Sequence, residues 1–173
     1  MRARWLSLVG LGMAVPAAAQ PATSAYTEID LPQCRVIAQD RESDSIAWRC
    51  PGRGGVALFV SAGDGRFDVD AGIDNREWES LPELNELGPR VEWRLRRGRP
   101  FAIIYRLISA DEALAPRSVL VVETIGRPGR PGCQIAVIEG VAPEANARAR
   151  AEADARAARF RCGIDTPVEI GAR

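Results

Sequence analysis

The chain of 173 residues contains no histidine. All 23 of its basic residues are arginine, so lysine is missing as well. These two absences remove much of ordinary enzyme chemistry. Without histidine, neither a Ser-His-Asp nor a Cys-His nucleophile system can be assembled within one chain, and histidine-containing zinc sites are excluded. Without lysine, there is no Schiff-base amine and no P-loop lysine. A GC-rich coding bias that replaces Lys with Arg accounts for the second absence most simply, but the chemical exclusion holds either way. The four cysteines form no C-x-x-C pair, which speaks against a redox or metal centre. No segment after the N-terminus approaches the roughly 20 apolar residues of a membrane-spanning helix. No cofactor is expected.

What is present begins with a leader-like pattern. Arg2 and Arg4 supply a short positive region, and Trp5 to Val15 an apolar stretch too short to span a bilayer stably. Pro16 breaks it, and Ala17-Ala18-Ala19 resembles a small-residue cleavage site. Residues 1–19 are therefore expected to be a signal peptide, with the working chain starting near Gln20 in the periplasm or outside the cell. No cysteine stands at the cut to take a lipid. Residues 20–173 are expected to form one disulfide-bonded domain. Cys34, Cys50, Cys133 and Cys162 are an even set suited to an oxidising compartment. The expected pairs are Cys34–Cys50 and Cys133–Cys162, each closing a local loop.

The net charge is zero for the whole chain and −2 without Arg2 and Arg4, so nothing global points to nucleic acid. The charges are unevenly spread. Residues 20–93 carry seven arginines against fourteen carboxylates, and residues 94–173 fourteen arginines against nine. Such a chain either presents two oppositely charged surfaces or pairs them across its fold.

Strand signals dominate. Residues 34–39 and 45–50 read as two strands around a polar turn, with a loop over 51–55 and another strand over 56–61. Gly63-Asp64-Gly65 turns the chain into the alternating run 66–70, with Phe67 and Val69 facing inward. Trp78, Leu81, Leu84 and Leu87 recur at near-helical spacing, so 75–88 reads as a short helix or irregular turn. Val91, Trp93 and Leu95 alternate with Glu92, Arg94 and Arg96. Arg97 to Pro100 turn that strand into another over 101–109, and further strands are expected over 117–125 and 133–139. Residues 20–24 read as a frayed lead.

A helix follows from Pro143, which suits a first turn, with Glu144 at the positive dipole end. It is rich in Ala and Arg, and Gly163 is its natural stop. Asn146, Ala149, Ala153, Ala157 and Phe160 are expected to share one face, with Asn146 locking the helix onto a neighbouring loop. The fold class is thus α+β: one curved antiparallel sheet, or partial barrel, of about six to eight strands with a C-terminal helix packed on it.

Three groups of residues invite functional readings. Asp64, Asp68, Asp70 and Asp74 include Asp68-x-Asp70-x-Gly72, a faint likeness to a calcium loop without its full spacing or terminal Glu. Asp68 and Asp70 would lie about 7 Å apart on one face, within the roughly 6.5–9.5 Å of an inverting glycosidase pair. The plain reading is the solvated face of an amphipathic strand. Arg90, Arg94, Arg96, Arg97, Arg99 and Arg106 cluster on one hairpin, where guanidinium forks could hold a phosphate- or carboxylate-bearing partner. Arg94, Arg96, Arg97 and Arg99 are the candidate binding residues, and an anionic envelope component or a protein is the candidate partner. Trp48, Trp78 and Trp93, with Phe59, Phe67, Phe101 and Tyr105, fit a sugar platform or, more plainly, the core.

Cys50-Pro51-Gly52, Asp64-Gly65-Arg66, Glu92-Trp93-Arg94, Ala145 to Arg150 running into Ala153-Asp154, and Phe160-Arg161-Cys162 together resemble a group of small exported alphaproteobacterial proteins to which no activity is attached. That resemblance spans most of residues 20–173 and implies an exported location and a disulfide pattern. A histidine often follows the third cysteine in the group; here Gln134 stands in its place, so no histidine-based role carries over. The leading functional expectation is a non-catalytic binding or envelope-interaction protein. The alternatives are a small glycan hydrolase using Asp68 and Asp70, or an inhibitor of an extracellular enzyme such as lysozyme.

Overall fold

Among the described residues, eleven strands and one α-helix stack in three layers, with the strands in two sheets rather than one. The computed structural model describes residues 20–78, 81–109 and 117–171; the expected signal peptide, residues 1–19, lies outside them. In chain order the strands are β1 (Thr23–Glu28), β2 (Arg35–Asp40), β3 (Ser45–Arg53), β4 (Val56–Gly63), β5 (Arg66–Ala71), β6 (Asn85–Leu87), β7 (Arg90–Arg96), β8 (Arg99–Ser109), β9 (Ser118–Thr124), β10 (Gln134–Glu139) and β11 (Val168–Ile170). The helix α1 (Ala145–Arg156) lies between β10 and β11, and a single 3-10 turn (Leu31–Gln33) precedes β2. Strand accounts for 52% of the described residues.

The central sheet has seven strands in the order β1-β7-β8-β9-β10-β11, with β6 pairing the far end of β8. β10 and β11 are parallel, and the other pairs are antiparallel. The second sheet is the four-stranded meander β2-β3-β4-β5. Neither sheet closes. The expectation of a single curved sheet or partial barrel is therefore corrected to two open sheets with a helix, and the strand count exceeds the six to eight expected.

Side-chain alternation explains the layering. Val91, Trp93 and Leu95 of β7, Ile103, Tyr105 and Leu107 of β8, and Val119 and Val121 of β9 face the outer sheet. There they meet Cys50, Leu58, Val60, Val69 and Ala71. The opposite residues, Ala102, Ile104, Leu120 and Val122, with Ile135, Ala136 and Ile138 of β10, face α1. A bulge between Gln134 and Ala136 turns both Ile135 and Ala136 toward the helix side. The central sheet is thus buried on both faces.

The buried helix face is Ala145, Ala149 and Ala153, continued by Ala157 and Phe160 beyond the last turn. Their small side chains let the helix axis approach the sheet closely. Asn146 is exposed, which corrects its expected inward position. The helix starts at Ala145 rather than at Pro143, after Glu144 takes a left-handed φ of 62°, and it is twelve residues long. Cys133–Cys162 ties the segment after α1 to the start of β10, and Cys34–Cys50 ties the start of β2 to β3. Both pairs are those expected, and no described cysteine is free.

Other differences have local causes. The lead is not frayed from Thr23 onward, because β1 pairs with β7 from Thr23↔Leu95 to Glu28↔Arg90. β3 continues through the expected 51–55 loop to Arg53, with a bulge between Cys50 and Arg53. A Cβ on Gly52 there would lie 2.0 Å from the Val56 carbonyl oxygen, so the bulge requires glycine. No helix forms in the described part of 75–88; Pro82 forbids its continuation upstream, and β6 uses Asn85–Leu87 instead. Among the described residues no helix is long and apolar enough to cross a membrane.

Candidate anion-binding site

The β7–β8 hairpin closes on a two-residue turn, Arg97-Gly98, both at positive φ (52° and 74°). That geometry matches the right-handed twist of paired strands. It sets Arg96 directly opposite Arg99 and leaves Arg97 at the tip. Arg96, Arg97 and Arg99 are all exposed. The Arg96 guanidinium lies 4.7 Å from the centroid of the Phe101 ring, a cation–π contact. Its Nη2 donates to the Asp154 carbonyl at 3.3 Å.

A fourth guanidinium arrives from the β9–β10 loop. Arg127 and Arg130 exchange main-chain hydrogen bonds of 2.8 Å, which fix the loop. Arg127 then joins Gln20, Arg96, Arg97, Arg99 and Phe101 around an open depression of about 610 Å³. Among the described residues, no carboxylate lies within ion-pair distance of Arg96, Arg97, Arg99 or Arg127. Guanidiniums gathered without counter-charges repel one another and favour an anion among them. Sequence reasoning found three of the four. Arg127 was missed because it is remote in the chain; the Arg- and Gly-rich loop 126–132 was its one visible trace.

Arg94 is placed differently. Alternation correctly set it opposite Val91, Trp93 and Leu95, but α1 covers that face. Arg94 is 5% exposed. It forms a two-point ion pair with Asp154 of α1, Nε to Oδ1 at 2.9 Å and Nη2 to Oδ2 at 2.6 Å, and Nη1 donates to Ser24 at 2.5 Å. Beside it, buried Glu92 accepts from Arg150 Nε at 2.6 Å and Nη2 at 3.1 Å, and from the Ser24 hydroxyl. The hydrogen bond to Glu92 raises the Arg150 pKa above its ordinary value, against the opposing effect of desolvation. Two arginine–carboxylate ties therefore clamp α1 to β7, and Arg94 serves the fold.

The acidic group is also not the solvated face expected. Asp68 and Asp70 are each 5% exposed. They lie on the outer side of the four-stranded sheet, under the segment after β5, whose Asn75 N–H donates to Asp70 Oδ2 at 3.1 Å. Asp68, Asp70, Asp74, Glu77, Ser61 and Trp78 border a pocket of about 340 Å³. The described residues contain no group of three or more His, Cys, Asp or Glu donors placed to share a metal ion. Asp64 stands apart in the β4–β5 turn, paired with Arg66 at 3.7 Å.

The aromatic residues do not form one platform. Trp93 and Tyr105 are buried in the core, and Trp93 Nε1 donates to Thr27 Oγ1 at 2.9 Å. Trp48 and Phe67 pack against that core, while Trp78 is 41% exposed at the acidic pocket. No protein-family model, curated protein or solved structure matches the chain.

Proposed function

We propose that this is an exported binding protein whose partner is an anionic component of the cell envelope, held at the β7–β8 hairpin. The reading is carried by one observation: Arg96, Arg97, Arg99 and Arg127 surround a depression with no carboxylate of the described chain to neutralise them. Arg96 is pre-positioned by Phe101, and the other three guanidiniums are free to fork onto phosphate or carboxylate oxygens. The two disulfides suit an oxidising compartment, and the leader pattern of residues 1–19 provides the route there.

The test uses protein produced with its full N-terminus, its mass recorded to locate any cleavage near Gln20. Binding to vesicles containing phosphatidylglycerol, and separately to an acidic polysaccharide, is measured at low and physiological ionic strength. Affinity for one of them should fall by about tenfold or more as the Debye length contracts to about 8 Å. Changing Arg97, Arg99 and Arg127 to Gln should abolish it with an unchanged melting temperature. Salt-insensitive binding, or none by the unchanged protein, removes the proposal.

A second reading rests on the pocket that gathers Asp68, Asp70 and exposed Trp78. Paired carboxylates beside an indole face suit glycan hydrolysis. Glycan-cleaving activity lost in Asp68→Asn would rank this reading first.

A further inference from the structure

A separate groove lies where α1 leaves part of the central sheet uncovered. Its floor is Ile104 of β8 and Leu120 of β9, both nearly fully buried. Tyr26 and Arg90 stand on one side, Asn146 and Arg150 of α1 on the other, and Arg106 at the end beside Gly88-Pro89. The groove is open to solvent, with a volume of about 350 Å³, at the lower end of the roughly 300–1,000 Å³ typical of small-molecule sites.

The charges lining this groove do not balance. It holds three guanidiniums, Arg90, Arg106 and Arg150, and one carboxylate, Glu92. Glu92 is already committed: Ser24 and Arg150 occupy Oε1, and Tyr26 and Arg150 occupy Oε2. Arg90 stacks on the Tyr26 ring at 5.4 Å and reaches Glu28 at 3.8 Å in an exposed pair. Arg106 has no carboxylate within ion-pair distance among the described residues. Its described hydrogen bonds leave from Nη1 alone, to Ser118 Oγ at 2.7 Å and to the Gly140 carbonyl at 3.4 Å. Those two acceptors fix the half-buried guanidinium in place but do not neutralise it, and a charge drawn partly out of water needs a counter-charge.

We propose that this groove is a second binding site, distinct from the hairpin depression, for a small amphiphilic oxyanion. The head group is a carboxylate or phosphate monoester held by Arg106, with Arg90 and the Asn146 amide around it. A short apolar body rests on Ile104 and Leu120. Bidentate capture by Arg106 uses the donors that Ser118 and Gly140 leave open. This groove and the hairpin depression share no lining residue.

The experiment titrates phenylphosphate and phenylacetate in parallel into the disulfide-intact protein, followed by calorimetry and by amide chemical shifts. At least one probe should saturate, with shifts centred on Ile104, Leu120 and Asn146; which one binds tells phosphate from carboxylate chemistry. Arg106→Gln should weaken that probe by about tenfold or more, and Arg106→Lys by less. Asn146→Leu, at an exposed position, should narrow the groove and weaken binding without affecting folding. It keeps the test informative if Arg106→Gln unfolds. Arg148→Gln removes an equal charge from exposed α1 surface outside the groove and should leave affinity within twofold. Failure of both probes to saturate, or equal losses in Arg148→Gln and Arg106→Gln, overturns the site.

Discussion

The Arg94–Asp154 pair permits a quantitative test of how α1 is held. Asp154→Ala strips two charge-assisted hydrogen bonds from a guanidinium that is 5% exposed. Glu92, 3.8 Å away, offers little relief because Arg150 already engages both of its oxygens. Breaking a fully buried pair from one side costs about 3–5 kcal/mol. The Asp154 side chain is 35% exposed, so water can enter on that side, and the expected cost falls to about 2–3 kcal/mol. Arg94→Met is the milder change: Asp154 rehydrates where it stands, and the loss is about 1–2 kcal/mol. The double variant leaves no stranded charge and should cost about 2 kcal/mol, giving a coupling energy of about 2 kcal/mol. Urea unfolding followed by tryptophan fluorescence, with disulfides intact, supplies all four corners of the cycle. Additivity within about 0.5 kcal/mol, or a greater cost for Arg94→Met than for Asp154→Ala, would refute the clamp.

Three more outcomes are expected. Replacing Cys133 and Cys162 by serine opens a loop of 29 residues and should cost about 3–4 kcal/mol on the chain-entropy argument, with amide exchange rising first in α1. Gly52→Ala should lower the melting temperature sharply, since its Cβ would meet the Val56 carbonyl at 2.0 Å and the Trp93 ring at 3.1 Å; Gly98→Ala, with open space around it but φ at 74°, should cost about 1 kcal/mol. The side-chain hydrogen bond from Arg161, helped by the Arg161 N–H, holds the Asp165 carboxyl below its ordinary 3.8. Because the folded value is the lower one, the contribution is complete above the unfolded pKa and disappears as pH falls through the folded pKa; a carboxyl-carbon NMR titration should show the midpoint rising in Arg161→Gln.

Local signals in the sequence were read well where local physics decides the outcome. Asp64-Gly65 and Arg97-Gly98 make hairpin turns because both pairs tolerate positive φ. The cysteine pairs follow from loops that close nearby elements. The layering was not legible, for a reason that Glu92 and Arg94 make plain. An alternating strand with charges on one side reads as half-solvated, and the same pattern arises when those charges are buried against partners on another layer. Their partners Arg150 and Asp154 lie about 60 residues away, at separations of 58 and 60, beyond any periodicity. Asp68 and Asp70 were misread in the same way, since the segment covering them has no regular structure to predict. β1, β6 and β11 are short edge or rim strands, defined by the neighbours they pair with rather than by composition. Of the hairpin site, the exposed arginines were visible, but Arg127 required the fold; Arg106 was read with the same cluster, and the fold places it in a separate groove.

The outer sheet has a bearing on how the molecule is assembled. β2 to β5 occupy one unbroken stretch, 35–71, between a strand and its eventual neighbour: β1 leaves at Glu28, and β7 returns opposite it at Arg90. The meander is therefore an excursion whose entrance and exit meet at a single seam. Each hairpin within it closes over short sequence separation, so it can form before the central sheet exists. β1 has no such freedom, because β7, the strand it pairs with among the described residues, lies beyond the whole excursion. Docking of β1 on β7 also brings Ser24 and Tyr26 to Glu92 and Arg94, so the step that seals the seam completes the clamp on α1.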